Sequence, residues 1–129
     1  MLKAMRALTN LIEVTVDEPA FISGFDDMKD RDSGNHFEPG HVCEVVGRKI
    51  KIEGDPVKVG LWPVPVTDST KRVQMTRIVD NGASRIQFIP VATGFSENRI
   101  EIRTSYSGSG SGELNSPRSI ASPFTITQV

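Results

Sequence analysis

Both histidines of the chain and its one cysteine fall within eight residues, at His36, His41 and Cys43, and are the first place to look for chemistry. Imidazole and thiolate are soft ligands, but a structural zinc site takes four such donors and no fourth is at hand. His41 and Cys43 stand two apart and would share a strand face, and the neighbouring Val45 suits Cys43 as a small buried side chain. Just upstream, Asp26, Asp27, Asp30, Asp32, Asn35 and Glu38 have the residue types of a calcium loop. The order Asp30-x-Asp32-x-Gly34 does not place three side-chain oxygens ahead of the glycine, as wrapping one ion requires. An acidic surface loop is expected there. Nucleophilic catalysis needs a base beside an activated Ser or Cys, and two histidines in one acidic region without a nucleophile-elbow motif assemble no triad. The remaining acids fall in loops or on solvent-facing strand positions, so nothing marks a glycosidase pair. No catalytic residue, cofactor or metal is assigned.

The binding candidates lie further along. Arg77, Arg85, Arg99 and Arg103 project from predicted strand faces and suggest a basic stripe for an anionic partner, although Glu101 interrupts it. Trp62, beside Pro63, and Tyr106 are candidates for stacking on a sugar. The eight aromatic residues are too few for a base-stacking platform.

With 129 residues and 14.1 kDa the chain fits one domain able to bury a real core. Fifteen basic against sixteen acidic side chains exclude an autonomous strong nucleic-acid binder, because such binding runs on phosphate neutralisation. The balance hides an asymmetry: residues 1–40 carry eight acids and four bases, whereas residues 41–129 carry eight acids and eleven bases. One cysteine excludes an internal disulfide framework. No run approaches the ~18 apolar residues of a membrane span. The first residues form no continuous apolar stretch of the signal-peptide kind, so a cytoplasmic location is the expectation.

Residues 2–12, with Leu2, Met5, Leu8 and Ile12 on one side, are the one place where a helix or a docked tail is expected. From residue 20 the pattern is short strands with turn punctuation. Strands are predicted at 20–25, 42–46 and 49–52, and at 57–66, where Pro63 and Pro65 demand an edge. A hairpin is predicted through Ile78 and Val79, a tight turn at Asn81-Gly82, and 85–89. Residues 99–103 alternate strictly, with Ile100 and Ile102 inward. After a flexible loop at 107–112, a last strand at 124–127 turns Phe124 and Ile126 inward. About seven strands without intervening helices predict an all-β, immunoglobulin-like antiparallel sandwich.

A wider pattern runs through these strands. Gly47, Ile50, Ile52, Gly54 and Asp55 come first, then Asn81, Ser84 and Ile86. Glu101, Ile102, Arg103, Thr104, Tyr106 and Ser107 follow, then Ser116, Pro117 and Arg118. Taken together they resemble the immunoglobulin-like domain of unknown function that forms the C-terminal half of bacterial HU-like DNA-binding proteins. The resemblance covers roughly residues 20–129, and residues 1–19 resemble the end of the HU-like half with its linker. Asn115 departs from it, standing where that family tends to carry a basic residue, and the stretch 26–38 is more acidic than the resemblance suggests.

What the resemblance implies is a context. Nucleic-acid contacts are expected from the HU-like half, by phosphate contact and minor-groove insertion, and that half is nearly all missing from this sequence. The Ig-like half carries no catalytic assignment. It is expected to mediate protein contacts or self-association through exposed strand edges, the proline-bearing one above all, with a nucleoid location where it is attached to such a partner. Two other readings stay open: a carbohydrate- or surface-binding module using Trp62 and Tyr106, and weak direct DNA contact through Arg77, Arg85, Arg99 and Arg103.

Overall fold

Alternation of side chains across a strand is clearest in the longest strand, Glu97–Thr104. There Asn98, Ile100, Ile102 and Thr104 are buried while Glu97, Arg99, Glu101 and Arg103 face outward. In the computed structural model, which describes residues 19–31, 34–108 and 112–129, this strand is the spine of one of two packed sheets. The described residues form nine strands: β1 (Phe21–Asp27), β2 (His36–Phe37), β3 (Cys43–Arg48), β4 (Gly60–Pro65), β5 (Ile78–Asn81), β6 (Arg85–Phe88), β7 (Glu97–Thr104), β8 (Arg118–Ala121) and β9 (Ile126–Gln128). The helix or tail predicted at 2–12, and all but the last residue of the lead at 1–19, lie outside the described residues.

The first sheet is antiparallel in the order β1-β3-β6-β5. The second runs β2-β9-β7-β4. In it, β8 and β9 divide one side of β7: Thr127 and Ile126 pair with Glu97 and Asn98, and Ala121 to Arg118 pair with Glu101 to Thr104. β2 joins β9 in parallel, the one parallel pair among the described strands. Between the sheets lie Ile22, Val45, Leu61, Ile86, Ile100 and Ile102, with Phe25 packed edge-on to Phe37 at 6.0 Å and tilted to Phe88 at 6.5 Å. Each such side chain contributes about 1.5–3 kcal/mol by leaving water. A bulge between Ile22 and Gly24 lets both Ile22 and Phe25 point inward, and it turns Asp27 inward as well.

The sandwich matches the predicted class, with nine strands instead of seven. The two extra strands are β2, set inside the acidic stretch, and β8, with one inward apolar residue, Ile120. Residues 57–66 keep only Gly60–Pro65 as a strand, and it lies at an edge. The Val66 N–H donates to Glu97 across the sheet, so Trp62 and Val64 also turn their backbones to β7. Pro63 and Pro65 fall on the outward-facing positions, where no ladder hydrogen bond is lost. The Leu61 carbonyl, also outward, accepts from the Met75 N–H at 2.9 Å. This edge is therefore partly blunted against strand addition.

Two local expectations are corrected. Residues 49–52 are not a strand: Lys49 takes φ +57°, and the backbone leaves the first sheet to cross toward the second. Nor does Asn81-Gly82 form the tip of its hairpin. Gly82 lies outside the left-handed region and donates to the Arg85 carbonyl, leaving Ala83 and Ser84 at the tip. Asn81 instead turns its amide onto the crossing segment, accepting from the Ile52 N–H and donating to the Ile52 carbonyl, both at 2.8 Å.

Thr104, fully buried at the end of β7, holds the other side of that crossing. Its hydroxyl accepts from the Glu53 N–H at 3.0 Å and the Tyr106 N–H at 3.1 Å and donates to the Lys51 carbonyl, which uses one donor and both lone pairs. Thr104→Val is expected to lower stability by about 2–4 kcal/mol, because it orphans two amides and a carbonyl together, while Thr104→Ser stays within about 1.5 kcal/mol of the parent. Urea midpoints of the three proteins check this; equal midpoints for the valine and serine variants would contradict it.

Candidate functional site

The first sequence-predicted cluster sits where β1 ends. Asp27, read from the sequence as part of a surface loop, is instead buried, its side chain 3% exposed. It accepts from the Lys29 and Glu38 amides, each at 3.0 Å. His41 Nδ1 lies 3.0 and 3.2 Å from its two oxygens, and since a carboxylate only accepts, the proton belongs on that nitrogen. Burial is the largest single influence on Asp27 and works to raise its pKa. The two amides and the His41 imidazole outweigh it and hold the carboxyl below its ordinary range.

A shallow pocket beside this pair is lined by Asp30, His36, Glu38 and Val129. His41 Nε2 stands 3.7 Å from Glu38. Among the described residues no group of three or more His, Cys, Asp or Glu is arranged to hold a metal ion. Asp27 thus acts as a clasp, tying the turn after β1 and the residue that follows β2 to the approach to β3. Cys43 lies behind it, fully buried, with its thiol against the His41 carbonyl. Burial first, and the Asp27 charge second, push that thiol up to about 12, so it is no nucleophile near neutral pH.

The second cluster covers the outer face of the second sheet. Trp62 on β4 stands opposite Glu101 on β7. Two guanidinium groups flank its half-buried ring, Arg72 at 5.9 Å and Arg103 at 5.7 Å from the centroid. Glu101, its side chain 14% exposed, bridges them, 2.7 Å from Arg72 and 3.1 Å from Arg103. Arg103 Nε also donates to Ser119 on β8 at 3.2 Å. Arg72 comes from the chain just after a short 3-10 turn, Ser69–Lys71, so this network also pins the connection from β4 toward β5. A guanidinium over an indole contributes about 0.5–1 kcal/mol at an exposed site, and the ion pairs hold both in register.

The four arginines taken from the sequence as one stripe are divided. Arg99 and Arg103 share the outer face of β7 in the second sheet. Arg85 lies on the outer side of the first sheet, paired with Glu44 at 3.3 Å and Asp80 at 3.4 Å, and Arg77 leads into β5 of that same sheet. Trp62 joins the Arg103 pair; Tyr106 sits apart, with Lys51 5.8 Å above its ring. Sequence reasoning did not find Arg72 at all and took Glu101 for an interruption. Only the β4–β7 register shows it to be the bridge.

Residues 21–120 match the family described as a domain of unknown function (DUF4469) with an Ig-like fold. A crystal structure described as that of a candidate bacterial DNA-binding protein from Bacteroides vulgatus is similar, with a TM-score of 0.75 and 21% identity. The similarity covers 95% of this chain and 52% of that one, so the present chain spans about half the length of the solved protein. At that identity the likeness shows the fold. Comparison with the curated proteins finds no match.

The Asp27 clasp has a pH signature. A carboxyl held lower in the folded than in the unfolded chain stabilises the fold fully above the unfolded value, about 3.9, and that stabilisation is lost as pH falls through the folded value. Asp27→Asn is expected to cost about 1–3 kcal/mol at neutral pH, and its deficit to shrink below about pH 4. Urea unfolding of both proteins across that range measures the difference; a deficit independent of pH would contradict the ionised clasp.

Proposed function

The chain belongs to the DUF4469 family of Ig-like domains of unknown function, and from that premise we propose that it is a non-catalytic interaction domain. On this reading it is the accessory half of a longer bacterial DNA-associated protein of the HU-like kind, acting at the nucleoid. It makes protein contacts, and the DNA contacts are made by the other half. The observation that carries the reading is how the polar groups of the two clusters are used. Asp27 and His41 hold a turn, Glu101 holds two arginines against Trp62, and Cys43 is sealed in the core. What these contacts leave is a rigid, open sheet face carrying Trp62, suited to recognition.

One comparison and one resemblance read from the sequence support the context. A solved protein described as a candidate DNA-binding protein shares this fold over about half its own length, which leaves room there for a second unit. Residues 1–19 resemble the end of such a unit. The charge balance of the present chain supports leaving DNA to that other half, since a near-neutral domain releases few counterions on binding a duplex. The division of the arginines between the two sheets supports it further.

Fluorescence anisotropy of a labelled DNA duplex at low ionic strength tests this. The chain alone is expected to leave the anisotropy unchanged. Saturable binding that survives moderate salt would overturn the assignment of DNA contact to the other half.

A further inference from the structure

The outer face of the second sheet holds more positive charge than its own acid balances. Glu101 stands between two guanidinium groups and compensates one of them. Arg72 spends Nη1 on Glu101 and Nε on the Ser69 carbonyl; Arg103 spends Nη2 on Glu101 and Nε on Ser119. Arg72 Nη2 and Arg103 Nη1 meet no acceptor among the described residues. Arg99, on the same face of β7, pairs with no acid among them. Beside these cations runs a strip of Trp62 and Val64 on β4, with Ala121 across β7. Donors for carboxylate are thus already positioned around an aromatic ring, so little side-chain freedom remains to be lost on binding.

We propose that this face docks an acidic, extended segment of a partner protein, with carboxylates four residues apart. The inference rests on the interaction-domain reading above and names what that domain recognises. Arg99 and Arg103 are four residues apart on one strand, roughly 13 Å at the rise of β-structure, which is also the span between every fourth side chain of an extended peptide. One carboxylate meets Arg99. The other meets Arg103, with the free Arg72 nitrogen close by. Glu101 lies beneath the midpoint, so the central residue of the ligand is uncharged, and its side chain packs against Trp62.

Charge complementarity selects this occupant over two others. A duplex binds through many phosphate contacts at once, and three arginines on a chain of net charge −1 supply few. A second copy of this chain carries five of its sixteen acids between residues 26 and 38, but among the described residues there the backbone turns at Met28 and Lys29 and Asp27 is buried, so those described residues present no extended acidic strand.

Trp62 is the single tryptophan of the chain, so its emission reports on this face directly. The probe is a pair of synthetic peptides of one composition, rich in Thr and Val, with two glutamates either four residues apart or adjacent. The spaced peptide is expected to change Trp62 emission saturably, to bind at least about fivefold more tightly than the adjacent one, and to weaken with salt. Arg99→Ala, which removes no ion pair or side-chain hydrogen bond to another described residue, is expected to weaken it about fivefold at an unchanged urea midpoint. No emission change, equal binding of the two peptides, or an Arg99→Ala affinity equal to the parent would overturn the proposal. So would stronger competition by a DNA duplex, or an emission change that tracks a rising mass in light scattering without peptide. A silent Trp62 together with no DNA binding would remove the acidic ligand while leaving the interaction-domain reading standing. DNA binding by the chain alone would remove that reading by itself.

Discussion

Between Arg48 and Gly60 the backbone leaves one sheet and enters the other, and its amides and carbonyls need partners outside any ladder. Those partners come from both sides. The Ile50 N–H reaches the Ala83 carbonyl at 2.9 Å, and the Asn81 amide takes both backbone groups of Ile52, standing in for a strand residue. From the second sheet, Thr104 takes the Lys51 carbonyl and the Glu53 N–H, and the Ser105 N–H donates to Glu53 at 2.8 Å. A buried backbone group left unpaired costs about 1–3 kcal/mol, so a crossing with several of them has to be stitched or exposed. Here it is stitched, and the two sheets are joined through it. One glycine lets it lie close: Gly54 holds φ +127° where a Cβ would come within 2.9 Å of Ser105, while just before the crossing a Cβ at Gly47 would collide with the Phe21 carbonyl of β1.

Fixing that crossing has consequences for the outer face. Once Thr104 is locked, the register of β7 against β4 places Glu101 opposite Trp62, and Arg103 two residues on. The connection after β4 then lays Arg72 over the same ring. The arrangement around Trp62 is thus a by-product of scaffold geometry carried outward along one strand. The Asp27 clasp does similar work ahead of β3, where a buried carboxylate ties the turn after β1 to Glu38 and His41.

How much of this could be read from the sequence depends on how many neighbours each signal needs. β7 was legible because its alternation is set by burial of one face alone. The edge position of β4 was legible because proline lacks the donor an interior strand requires. β2 was not, since two residues with one apolar side chain, Phe37, leave no period to detect, and its partner β9 is some ninety residues away in sequence. Lys49 to Ile52 alternates like a strand, yet Ile50 is buried by the crossing, not by a ladder. Asn81-Gly82 has turn chemistry, but its amide was claimed by a segment 29 residues earlier. Asp27 is indistinguishable from Asp26 by type, and a bulge four residues upstream decided which was buried. The motif that carried the family resemblance turns out to hold many of the stitching residues: Gly47, Gly54, Asn81 and Thr104 belong to it. Of the residues on the outer face of the second sheet, Trp62, Arg72 and Arg99 lie outside that motif, whereas Glu101 and Arg103 belong to it.

Amide hydrogen exchange in the native state tests the stitched crossing most directly. If it holds the two sheets together, the amides of Ile50, Ile52, Glu53 and Ser105 should exchange only by global unfolding, as slowly as those of Ile100 and Ile102 in the middle of β7. Exchange of the four through a local opening, orders of magnitude faster while Ile100 and Ile102 stay protected, would show that the sandwich stands without them.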